Sequence, residues 1–128
     1  MRGDLEERIR QPQGLEAFEI IVEGMARFPE FVPRYNVRGS KKSVHFVLGE
    51  TAPCAFIANA YWLLWYFRRP GVTRGLFSCE AVMAVFPEAS FTLRNAEEKR
   101  EVTLKLKRAS DADEALSFVA RHKNAPTH

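Results

Sequence analysis

Between residues 14 and 28, apolar side chains fall at Leu15, Phe18, Ile21, Val22, Met25 and Phe28, with Glu16, Glu19, Glu23 and Arg27 between them. Spacings of three and four put the apolar set on one stripe of a helix and leave an acidic outer face. Pro29 and Pro33 end it, because proline lacks the N–H a helix interior requires. A shorter helix is expected over Asp4 to Arg10, broken at Pro12, within a chain end (residues 1–12) expected to be loose.

The period then changes to two. Tyr35 to Val37 and the run Val44, Phe46, Leu48, alternating with His45 and Val47, read as two strands of a hairpin. Arg38-Gly39-Ser40 is the expected turn, with Gly39 supplying positive φ, and Gly49 to Pro53 is the expected next loop. Residues 54–69 are ambiguous. Thr51, Pro53 and four alanines allow a helix, whereas the aromatic density of the second half favours strand. The strand reading is preferred, as two strands bent near Asn59.

Beyond Pro70-Gly71, Ser78 is placed to cap a short helix carrying Val82, Met83, Val85 and Phe86, which Pro87 stops. Val102, Leu104 and Leu106 alternate with Thr103, Lys105 and Lys107 in a half-buried strand. A last helix follows, capped by Ser110 or Asp111, with Ala112, Ala115, Leu116 and Val119 as its stripe and residues 123–128 as a loose end. The order predicts an α+β domain: a mostly antiparallel sheet, helices packed on one side, an N-terminal helix and a C-terminal strand-helix unit.

Length supports this as one domain spanning residues 1–128, since a chain of 128 residues can bury about two-thirds of its unfolded surface. Cys54 and Cys79 are too few for a disulfide framework, and MRGDLEERIRQPQG has no apolar segment of the secretory kind, so a cytoplasmic setting is expected. The apolar stretch from Ala52 to Phe67 contains Asn59 and falls short of the roughly 20 residues a spanning helix needs; no membrane partner is expected.

Charge sharpens the picture. Residues 1–30 hold four Lys/Arg against seven Asp/Glu, residues 31–75 seven against one, and residues 76–128 eight of each. The basic middle third contains AYWLLWYFRRPG, and on a strand Tyr61, Leu63, Trp65 and Phe67 face one way while Trp62, Leu64, Tyr66 and Arg68 face the other. Helices on one side of a sheet cannot cover both rows.

An uncovered aromatic row flanked by cations is a stacking platform for nucleic acid or another anionic ligand. Its candidate residues are Tyr61, Trp62, Trp65, Tyr66, Arg68, Arg69, Arg74, Arg38, Lys41 and Lys42, extended by Lys105 and Lys107 if their strand lies alongside. The bland reading is that the aromatics fill the core and the arginines mark the return to water. A second reading uses the same row as a protein-interaction or homodimer interface, since Trp, Tyr and Arg dominate binding hot spots. A third, a cysteine-dependent enzyme, would need Cys79 at its helix start with His45 as base, and Glu80 beside the thiol opposes that.

The remaining chemistry is thin. His45, Cys54, Cys79, His122 and His128 have no metal-ligand spacing, so no metal site or cofactor is assigned. Glu97, Glu98 and Glu101 alternate with Lys99 and Arg100 as a solvated stretch does. A ribonucleoprotein consensus, a GxxG clamp, a phosphate loop and a dinucleotide fingerprint are all missing.

Overall fold

The alternation over Val44–Leu48 and Val102–Leu106 is that of strands with one buried face, and the computed structural model, which describes residues 2–36, 42–68, 76–93 and 100–123, pairs them into a single sheet. Among the described residues the elements in order are α1 (Arg2–Arg8), α2 (Pro12–Met25), β1 (Val32–Asn36), β2 (Lys42–Leu48), β3 (Thr51–Ala58), β4 (Leu63–Phe67), α3 (Cys79–Val85), β5 (Ser90–Leu93), β6 (Arg100–Leu106) and α4 (Ala109–His122). The six strands are ordered β1-β2-β3-β4-β6-β5, with every neighbouring pair antiparallel. This is the expected α+β architecture.

One face of the sheet holds the core. Val44, Phe46, Cys54, Phe56, Leu63, Trp65, Phe67, Val102, Leu104 and Leu106 cluster with Leu5, Phe18, Ile21, Met25, Val82, Phe118 and Val119 from the helices. All these strand residues share one face, so the described helices pack on the same side. A relay of rings crosses that core. Phe18 meets Phe56 edge-on at 5.9 Å, Phe46 bridges Phe56 and Trp65 at 6.0 and 5.9 Å, and Phe67 joins Phe77 at 5.0 Å and Phe118 at 5.2 Å. Edge-on and tilted rings add roughly 0.5–1.5 kcal/mol per pair beyond the area they bury.

The bend expected near Asn59 is the β3–β4 turn. Asn59 N–H donates to the Trp62 carbonyl at 3.0 Å, while Arg10 and Gln11 N–H both donate to the Ala60 carbonyl at 2.8 and 3.2 Å. The α1–α2 elbow therefore grips this turn. Gly14 permits the approach, because a Cβ there would stand 3.0 Å from the Tyr61 carbonyl oxygen.

Residues 2–9 are not a loose end: Leu5 and Ile9 are buried in the core, which supplies the docking energy a short helix lacks alone. Pro12 begins α2 rather than only breaking α1, since at the first helical position its missing N–H costs nothing. At the other end Lys123 pairs with Glu30, and residues 124–128 lie outside the described set.

One loop differs from expectation, and one lies beyond the described residues. The Arg38-Gly39-Ser40 turn falls outside the described residues, whereas Gly49, at φ +66°, makes the positive-φ turn between β2 and β3. β3 then starts at Thr51 and includes Pro53. Proline is tolerated in this central strand because Pro53 lies beyond the last β3–β4 pair, Cys54 with Phe67, and contributes only its carbonyl, to Arg68 N–H at 2.7 Å.

Ser78 caps α3 as expected, accepting from Ala81 N–H at 3.2 Å. Asp111 reaches back to the N–H groups of Lys107 and Arg108 at 2.9 and 3.1 Å, so Arg108 takes the N-cap and α4 starts at Ala109, ahead of the expected caps Ser110 and Asp111. β5 was not foreseen: four residues at the sheet edge give too short a run for a period of two to register.

Candidate functional site

The face that no helix covers among the described residues is built by the other parity. Strand register lays Arg34, His45, Ala55, Tyr66, Thr103 and Ser90 side by side across all six strands. The adjacent row is Asn36, Ser43, Ile57, Leu64 and Lys105. Trp62 continues the β4 side of this face, and Lys105 holds its ammonium 4.8 Å from the centre of the Trp62 ring. Tyr61, on the same turn, lies 6.2 Å from Trp62 and is well exposed.

Arg68 closes the far end. Its guanidinium donates to the Ala52 carbonyl at 3.1 Å and stands 3.9 Å from a carboxylate oxygen of Glu101. That ion pair is long and about one-third exposed on both sides, so it contributes little to stability and leaves the guanidinium available. The charges are felt by their neighbours. His45 is held below its ordinary pKa by burial first, then by Arg68 and Arg34, with Glu101 opposing. Tyr66 is pushed up by burial and then by the negative charge of Glu101, so the phenol keeps its proton.

Of the ten candidate residues, Trp62, Tyr66 and Arg68 come together on the uncovered face, with Tyr61 on the turn beside them. Trp65 does not: it is fully buried on the helix side, between Phe46 and Phe67, because its parity on β4 is that of Leu63. Lys42 shares the parity of Val44 and Phe46 and also belongs to the helix side. Arg38, Lys41, Arg69 and Arg74 lie outside the described residues.

Lys105 joins the patch, since β6 is the neighbour of β4. Arg34 and His45 are not in the ten-residue platform set, His45 having been considered only as a base for Cys79 or a metal ligand. Arg34 sits in a strand interrupted by Pro33, where no alternation announces which way it faces; the β1–β2 register alone sets it opposite His45.

Among the described residues His45 does not meet either thiol. Cys54 is fully buried, and burial pushes its thiol up. Cys79 is packed into the helix-side core, whereas His45 is on the opposite face of the sheet. Among the described residues no group of three or more His, Cys, Asp or Glu could hold a metal ion, and no helix is long and apolar enough to cross a membrane.

A cavity of about 510 Å³ opens beside the end of β6 that β5 leaves unpaired, between Leu64, Val85, Phe86, Lys105, Arg108 and Glu114. It borders the uncovered face at Leu64 and Lys105. The fold defines a class, an α+β domain whose described helices pack on one side of the sheet while the other side carries Trp62, Tyr66, Arg34, Arg68 and Lys105. The chain matches no family model, no curated protein and no solved structure.

Proposed function

We propose that the protein is a small non-catalytic binding module that holds single-stranded nucleic acid, or another anionic ligand, on the uncovered face of its sheet. One observation carries this reading: the bare face gathers Arg34, Arg68 and Lys105 around Trp62 and Tyr66, with Glu101 as the carboxylate drawn among them. The cations neutralise phosphates and the ring faces stack on bases. Each stacked base is worth about 1–3 kcal/mol, and each neutralised phosphate steepens the salt dependence by about 0.7 for single strands.

The test is fluorescence anisotropy with a labelled oligothymidylate at about 50 and about 200 mM salt. Binding should weaken steeply with salt. Arg68→Ala and Lys105→Ala should each lower affinity for all base compositions and reduce the salt slope by about 0.7, while Trp62→Ala lowers affinity and leaves the slope unchanged. Absence of binding at low salt, or affinity indifferent to salt, overturns the proposal.

A second reading, an interface to a protein or to another copy of the chain, is favoured by the apolar strip on the same face. Val47, Ile57 and Leu64 are half-buried there, and Val32, opposite Val47, is 59% exposed. Light scattering over a concentration series separates the two, since a dimer that Leu64→Lys dissolves would assign the face to self-association.

A further inference from the structure

His45 sits in the middle of the proposed anion site without being one of its permanent cations. The charged and titratable groups facing it among the described residues are Arg34 directly opposite on β1, Tyr66 along the same row on β4, Arg68 at the end of β4 and Glu101 on β6; β3 offers only Ala55 at this level. Arg34 therefore stands opposite a half-buried imidazole and Arg68 acts on it from two strands away, and both oppose a third positive charge as long as no anion lies beside them.

We propose that His45 is a conditional cation of this site: it takes up a proton when an anionic ligand settles beside Arg34 and Arg68, so that affinity rises as the pH falls. The inference rests on the proposed anion-binding role and specifies how that role is regulated. A phosphate placed beside the arginines offsets the positive potential that, after burial, disfavours a charged ring, and adds a negative charge of its own. Both changes favour imidazolium, which then supplies charge-assisted hydrogen bonds. By linkage, a ligand that promotes protonation binds more tightly where protons are abundant. Tyr66 remains protonated throughout and contributes no charge step, because its ionisation is pushed up.

The experiment measures oligothymidylate affinity from about pH 8 to about pH 5.5 at fixed low salt, bracketing the ordinary imidazole value of about 6.5. In parallel, calorimetry in buffers of different ionisation heat counts the protons taken up. The intact protein should tighten about tenfold across this range, the equivalent of one unit of pKa displacement on binding, with net proton uptake near the middle of it. His45→Gln should abolish both the tightening and the uptake. His45→Lys should flatten the profile at the tighter end, because its charge no longer depends on pH.

The calorimetric uptake is read on the unaltered protein and does not depend on whether either variant folds. Binding without uptake, or tightening equal in the intact protein and His45→Gln, overturns the role of His45 and leaves anion binding standing. No binding at any pH overturns the anion site itself.

Discussion

The two faces of the sheet are made by the same strands and differ in what their neighbours bring. On the helix side, Leu63, Trp65 and Phe67 of β4 meet Phe46, Phe56, Phe77 and Phe118 and are fully buried. On the other side, Leu64 and Tyr66 of that strand meet Ile57, Ala55, Lys105 and Thr103 and stay half-exposed. Five consecutive residues, LLWYF, thus serve a core and a surface at once. Apolar character in a strand does not say which face is buried; the placement of helices does.

The sharpest way to break this contrast is to truncate one residue from each face. Trp65→Ala should cost about 3–5 kcal/mol in urea denaturation, as large deletions in a packed core do. Trp65→Phe should cost far less, about 1 kcal/mol, because it keeps a ring in the relay and removes the indole N–H, which is buried without an acceptor among the described residues. Equal losses for the two would show that the indole is better satisfied than its surroundings indicate.

Next in size is the turn that carries Tyr61 and Trp62. Gly14→Ala gains helix propensity but drives a methyl group against the Tyr61 carbonyl, in a turn fixed by two hydrogen bonds from the α1–α2 elbow. A net loss of about 1 kcal/mol is expected, with a change in Trp62 emission. A stabilised variant would mean that the elbow is less rigid than these contacts imply.

On the bare face, Tyr66→Ala should change stability by only about 0.5 kcal/mol, as surface substitutions do, and should act on ligand affinity instead. A loss matching that of Trp65→Ala would show that this face is covered after all.

The smallest effect is on pH. His45 is held below its ordinary value when folded, so between that folded value and about 6.5 the unfolded chain binds more protons and stability falls as the pH is lowered through this window. His45→Gln should flatten that part of the stability profile. An unchanged slope would place the acid sensitivity elsewhere.

The strands containing Val44–Leu48 and Val102–Leu106 were legible because alternation survives where one face is wet. α2 was legible from its three-and-four spacing. Phe118 escaped the expected stripe of α4 although it is fully buried at the centre of the aromatic cluster, since Ala112, Ala115 and Val119 already filled a narrower face. Of the candidate site, Trp62, Tyr66 and Arg68 were grouped correctly by parity. Trp65 was included only because composition alone does not distinguish a core ring from a surface ring.

Local chemistry by itself determined the periods, the proline stops, the Ser78 cap and the antiparallel α+β class, because each depends on residues within a few positions of one another. Tertiary structure alone decided that β6 lies beside β4 and brings Lys105 over Trp62, that Arg34 stands opposite His45, and that α1 is docked rather than free. Those outcomes depend on strand order and register, which are set by how helices and strands from distant parts of the chain share one core.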